Sequence, residues 1–206
     1  QKIMARIFKR AEIEILHSEG YKTRPLISFG PALTLGISSL VEYFDVRVPS
    51  PWESPEEMLT KLQAHSEKGI VFKDVKELVG REPSIQDAAK SFVYFIPLED
   101  EDNVDALSEK IAKEEEIIVE SFSKKRQQYI KKNIKDKILD IKPGYLELDE
   151  ATLDIIDEVS PCKKKGLFLT TEVMQGSSIR PNELVEGFTQ LGHKPLKPIK
   201  VTINLQ

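Results

Sequence analysis

Cysteine, histidine and long apolar runs are all scarce in this 206-residue sequence, and each scarcity removes a class of function. The single cysteine, Cys162, excludes an internal disulfide. His17, His65 and His193 share neither metal-ligand spacing with one another nor a paired cysteine, so no metal site is expected. No apolar run approaches the ~18 residues of a membrane helix, so no membrane partner is expected and a cytoplasmic setting is the simplest expectation. Gly30, Gly36 and Gly176 form neither a phosphate-binding loop nor a dinucleotide fingerprint, and no cofactor is assigned to the chain. Positive charge is not in excess either. Thirty Lys+Arg against 34 Asp+Glu leave a net charge of −4, which argues against a uniformly basic nucleic-acid coat.

What is present is a globular composition, 40% hydrophobic and 31% charged, enough for one good core or two small ones. Ile3, Met4, Ile7, Phe8, Ala11, Ile15 and Leu16 recur at three- and four-residue intervals, predicting an amphipathic helix over 3–16 with Gly20 as its stop. That pattern is already running at Gln1, so the sequence is expected to be a piece of a longer chain. Extended segments broken by Pro25, Gly30 and Pro31 follow, then "SSLVEYFDVRV" (38–48) as a strand. "SPEEMLTKLQAH" opens on the cap residue Ser54 with Pro55 at the first helical position, and "IVFKDVKEL" reads as the next strand.

The second half repeats the order. "SFVYFIPL", "EIIVESF", "KILDIKP", "GLFLTTEV" and "KPIKVTINL" read as strands, with helices at "NVDALSEKIAK" and at "RPNELVEGFTQL", which opens on Pro181. The whole predicts an α+β protein of two tandem ferredoxin-like (βαββαβ) units with antiparallel sheets, the first strand of the first unit missing from this chain. The halves are drawn at 1–82 and 83–206, with a hinge in the polar stretch 80–90.

Reactive sets are few. Cys162 in "SPCKKKG" has Lys163, Lys164 and Lys165 beside it to lower a thiol pKa, but no positioned histidine, and a loop cysteine is the plainer reading. Glu42, Asp45 and Asp140 are carboxylates among aromatic and apolar neighbours, with Arg24, Arg47 and Lys142 as ion-pair partners; acid–base work requires two of them in one cleft. Charge distribution is more informative. From Glu99 to Glu120 ten acidic residues face two lysines, and "KKRQQYIKKNIKDK" follows with seven basic residues against Asp136. Lys124, Lys125, Arg126, Lys131 and Lys132 around Tyr129 suit phosphate contacts with base stacking. The competing reading is a solvated loop or helix that neutralises the acidic segment. Arg6, Arg10, Lys22 and Arg24 form a second basic set near the beginning of the chain.

The stretch from Arg6 to Val48 resembles the opening of the bacterial radical-SAM-linked proteins, a domain of unknown function fused to, or encoded beside, a radical S-adenosylmethionine protein. The residues that carry the likeness are Ser28, Phe29, Pro31, Gly36, Glu42, Tyr43 and Asp45, then Asp140, Lys142 and Pro143 in "LDIKP", then Arg180 and Pro181 in "SSIRPNELVEGF". Ser28 to Gly36 then reads as fold punctuation, with Phe29, Leu33 and Leu35 supplying packing. Two departures stand out: the strand that usually begins the family is absent, and its Asn-Pro-His-Pro is here Lys22-Thr23-Arg24-Pro25. A radical-SAM enzyme holds its cluster through three thiolates, which Cys162 alone cannot supply. The resemblance therefore implies a noncatalytic accessory module with a radical-SAM protein as partner, fused or separate, in RNA or ribosome modification, with RNA as a second partner. A pure protein-interaction module, and an enzyme using Glu42, Asp45 or Asp140, are the alternatives.

Overall fold

Helix α1 (Lys2–Arg10) forms because Ile7 and Phe8 bury on one face while Arg6, Lys9 and Arg10 stay outside. In this computed structural model, which describes residues 2–78, 83–99, 104–123, 126–159, 162–174 and 178–205, it is followed by β1 (Ile27–Phe29), β2 (Ser38–Ser39), β3 (Phe44–Val46), α2 (Pro55–Ala64) and α3 (Ile85–Ala88). Then come β4 (Ala89–Pro97), α4 (Val104–Lys113), β5 (Ile118–Ser123), β6 (Gln128–Asn133), β7 (Ile138–Tyr145), α5 (Glu150–Asp157), β8 (Lys165–Glu172), α6 (Pro181–Gln190) and β9 (Ile199–Leu205). The architecture is α+β. The chain divides into two compact units, one of Gln1–Gly30 with Tyr43–Ile85 and one of Pro31–Glu42 with Gln86–Gln206. Part of the hinge expected at 80–90 lies outside the described residues.

In the first unit α1 ends earlier than its spacing predicts. Glu12 adopts φ 57°, its N–H bonds the Lys9 carbonyl, and the Ile13 N–H bonds the Phe8 carbonyl at 3.0 Å, which closes the helix as a Schellman motif. Ile13 and Ile15, two residues apart, then bury on one side of an extended segment. β1 and β3 pair antiparallel, with Ile27 opposite Val46 and Phe29 opposite Phe44. The Phe44 ring meets Phe8 and Phe72 edge-on at 6.1 and 6.4 Å over a core of Ile7, Phe8, Ile27, Met58 and Leu62. Ser54 and Glu57 close a reciprocal capping box at α2, as the sequence predicts. Two expectations are corrected. The strand drawn over 38–48 is two separate pieces, β2 and β3, and residues 70–78 form no strand: Phe72 is buried there singly, with its carbonyl held by the Gln63 amide at 3.0 Å.

The second unit is a five-stranded sheet in the order β2-β9-β4-β8-β7, parallel between β2 and β9 and antiparallel elsewhere. Central β4 is covered on both faces. Phe92, Tyr94 and Ile96 join Leu107 and Ile111 of α4 and Leu184 and Phe188 of α6, while Phe95 packs with Ile156 of α5 and Ile199. Between α4 and β7 the chain inserts a hairpin, β5 with β6, so residues 128–133 of the basic tract weighed as loop or helix are a strand, followed by a single helical turn at Lys135–Lys137. The hairpin lies close on α6 because Gly187 has no side chain: a Cβ there would stand 2.8 Å from Ile117 Cγ2. Helix α5, which the sequence reading did not draw, is capped by Asp149, whose carboxylate accepts from the Thr152 N–H at 2.8 Å and its hydroxyl at 2.7 Å. Leu35 is fully exposed and supplies no packing, contrary to expectation.

Two stability tests follow from this geometry. Glu12→Gly relieves a left-handed backbone and is expected to raise the urea midpoint by an amount equal to about 0.5–1 kcal/mol. Gly166→Ala puts a Cβ 2.4 Å from the Ile96 carbonyl oxygen. It is expected to cost about 1–3 kcal/mol, read as a lower thermal midpoint.

Candidate functional site

Strand alternation decides which basic residues of the hairpin are available. The register sets Phe122 opposite Tyr129 and Glu120 opposite Lys131 on one face, with Val119 opposite Lys132 on the other. Val119 is fully buried, so the second face is the inner one. Phe122 and Tyr129 stand outward, 43% and 70% exposed, as an edge-to-face pair with centroids 5.4 Å apart. Arg126 and Lys131 are exposed beside them, and the Arg126 N–H bonds Ser123 Oγ at 3.3 Å. Lys124 and Lys125 lie outside the described residues. Lys132 is turned inward: its Nζ is 2.8 Å from Glu183 Oε2, which also accepts the Arg180 N–H at 2.9 Å. Burial pushes the Glu183 pKa up, but the Lys132 ammonium and the Arg180 N–H outweigh it and hold the carboxyl below its ordinary value.

The other basic set lies in the first unit. Arg6 and Arg10 both reach Glu67 Oε1, at 3.6 and 3.1 Å, and Arg10 also donates to the His65 carbonyl, so their charge is partly balanced locally. Lys22 and Arg24 are exposed and make no ion pair among the described residues. The loop that carries them is closed by the Ser18 N–H on the Arg24 carbonyl and the Arg24 N–H on Ser18 Oγ, and it presents a fully exposed Tyr21.

The three watched carboxylates have different surroundings. Asp45 belongs to the first unit, where Ser28 is its cross-strand neighbour; burial raises its pKa and the Ile85 N–H partly offsets that. Asp140 is on β7, the edge strand opposite β2, and pairs with Lys142 at 2.7 Å, as the sequence reading expected. Pro143 fits on the same strand because β7 has a free edge. Glu42 has a partner that sequence reasoning missed: Lys200 Nζ at 2.5 Å, 1% exposed and 5.0 Å above the Phe92 ring. Lys200 sits directly across from Tyr94, whose hydroxyl is driven to a higher pKa by burial and then by the Glu42 charge. The available signal was a lone lysine among Ile199, Val201 and Ile203 in the closing strand, a charge that needs compensation.

The remaining motif residues organise the chain. Tyr43 accepts the Gly30 N–H at 3.1 Å, Phe29 lies 5.9 Å from Phe44, Gly36 has φ +80°, and Arg180 with Pro181 starts α6. Burial, followed by the Asp157 carboxylate, pushes the Cys162 thiol up, so the neighbouring lysines do not activate it. No group of His, Cys, Asp and Glu among the described residues could hold a metal ion. No helix among them is long and apolar enough to cross a membrane.

Over residues 1–181 the chain matches the family described as an uncharacterized protein conserved in bacteria (DUF2344), and it belongs to that family. No curated protein and no solved structure matches it.

The asymmetry of the Glu42–Lys200 pair generates a test of its role. Glu42→Gln strands a buried ammonium and is expected to cost about 3 kcal/mol, whereas Lys200→Met leaves a carboxylate that water reaches and is expected to cost under about 1 kcal/mol. Urea midpoints of the two variants measure the difference, and the reverse order would contradict a structural ion pair.

Proposed function

We propose that this member of the family is a noncatalytic accessory module that holds RNA for a radical-SAM partner, fused or separate, in a cytoplasmic RNA- or ribosome-modifying system. One observation carries the reading: the exposed Phe122–Tyr129 pair on the β5–β6 hairpin, flanked by exposed Arg126 and Lys131. Exposed aromatic faces stack on bases and neighbouring cations meet phosphates, a combination that tolerates sequence variation. Lys22, Arg24 and the exposed Tyr21 repeat that chemistry in the first unit. The likeness to the radical-SAM-linked proteins supplies the partner, and Cys162 alone leaves cluster ligation to that partner.

The finer fold reading belongs here too. We read the succession β4, α4, β7, β8, α6, β9 as one ferredoxin-like layer, with the hairpin as an insertion that carries the RNA-binding face. The first unit is its degenerate tandem partner in this reading. An acid–base enzyme is disfavoured because Glu42 is paired with Lys200 of β9 and Asp140 with Lys142 on the edge strand β7, three positions away in the sheet order.

Fluorescence anisotropy with a labelled single-stranded RNA tests the proposal. Affinity is expected to fall steeply with salt, with Tyr129→Ala losing about 5- to 100-fold and Lys131→Ala lowering the salt slope by about 0.7. Absent or salt-insensitive binding would reject the RNA role. Co-purification with a radical-SAM protein from RNase-treated lysate, combined with no RNA binding, would instead select the protein-interaction alternative.

A further inference from the structure

A second site stands apart from the hairpin, at the start of α6. A cavity of about 300 Å³ opens there, at the lower edge of the ~300–1,000 Å³ of small-molecule sites, and Thr34, Tyr94, Ser178 and Arg180 line it between Pro31 and Pro181. All of these residues belong to the second unit. Tyr94 is 3% exposed, and its hydroxyl has no hydrogen-bond partner among the described residues. The ring is buried while the residue lines the cavity, so a ligand or water there can take up the free hydroxyl.

The charges around the cavity are unequal. Glu42 is engaged by Lys200 at 2.5 Å, and Glu183 by Lys132 at 2.8 Å and the Arg180 N–H at 2.9 Å. The Arg180 guanidinium makes no ion pair among the described residues, and it sits at the N-cap of a ten-residue helix, where the helix dipole adds positive potential. One cation is therefore left over beside three hydroxyls.

We propose that this cavity binds the phosphoryl group of a phosphomonoester. A guanidinium and three hydroxyls give more donors than the two oxygens of a carboxylate need, and they match the three terminal oxygens of a phosphoryl group. The guanidinium contributes paired, directional N–H bonds, and Tyr94 contributes a donor fixed by the packing of β4. Because the pKa of its hydroxyl is raised, Tyr94 keeps its proton at neutral pH and serves as a donor. The volume leaves room beyond the phosphoryl group for part of a sugar or a comparable polar body. The shared chemistry is a terminal phosphate, carried either by a free nucleotide or by an RNA end.

Isothermal titration of the full chain with inorganic phosphate, adenosine monophosphate and adenosine tests the site. Phosphate and the monophosphate are expected to bind and adenosine is not. Arg180→Gln is expected to weaken the monophosphate about tenfold or more, and Tyr94→Phe by several-fold with an unchanged circular dichroism spectrum. Tyr129→Ala is expected to leave this binding untouched, which separates the site from the hairpin. A 5′-phosphorylated RNA oligonucleotide that competes better than its 5′-hydroxyl form identifies an RNA end as the source, and equal failure of both identifies a free nucleotide. Adenosine binding as tightly as its monophosphate, acetate competing as well as phosphate, absence of binding by both phosphorylated probes, or full affinity in both the Arg180 and Tyr94 variants would overturn the proposal.

Discussion

A buried ammonium is the constraint on which the second unit depends. Lys200 lies in β9 with 1% of its surface exposed, directly across from Tyr94, on the face of the sheet that α4 and α6 cover. Strand alternation gives the side chain no route to solvent without turning Ile199 and Ile203 out of their cores. The charge must be met where it stands, and Glu42 meets it. That requirement anchors the end of Pro31–Glu42 to the second unit, where β2 adds in parallel to β9 and the Leu40 N–H bonds the Lys200 carbonyl at 2.8 Å. A run that looks like punctuation in the sequence thus acquires a structural duty: it delivers a counter-charge and then forms one wall of the cavity at α6.

The same alternation sorts the lysines of the hairpin. Adjacent Lys131 and Lys132 look equivalent in sequence, yet one faces outward across from Glu120 and the other crosses to Glu183 on α6. Lys132 consequently works for the fold. It supports a buried carboxylate that caps α6 through the Arg180 N–H, and so fixes the helix start beside which Arg180 stands. The outward face keeps Tyr129, Phe122, Arg126 and Lys131, so surface chemistry and packing are divided between two sides of one two-stranded ribbon.

Local signals explain what was legible in the sequence. Ser54, Pro55 and Glu57 announce α2, Pro181 and Glu183 announce α6, and the apolar strands β4 and β8 stand out because both of their faces are covered. The spacing overextends helix α1 because Ile15 continues the three-four pattern while Ile13 and Ile15 together also satisfy a spacing of two; the left-handed turn at Glu12 decides between them. A strand over 38–48 was a similar ambiguity, since alternation continued across a place where the chain passes from one unit to the other. Glu42 with Lys200, and Tyr94 with Arg180, are each assembled from distant parts of the chain, and no spacing rule connects them.

Paired carboxylates and engaged lysines bear on the proposed function. An acid–base enzyme requires groups whose environments drive their pKa values apart within one reaction volume. Here Asp140 is neutralised by Lys142 near solvent, Glu42 by Lys200, and the Cys162 thiol is held away from the thiolate form. Among the described residues, the hairpin face and the cavity at α6 present groups of another kind: exposed aromatics, exposed cations, a tyrosine hydroxyl and one arginine at a helix start. These are donors and stacking faces, which grip anionic and planar ligands and do not by themselves break bonds. These groups are what the proposed holding role draws on.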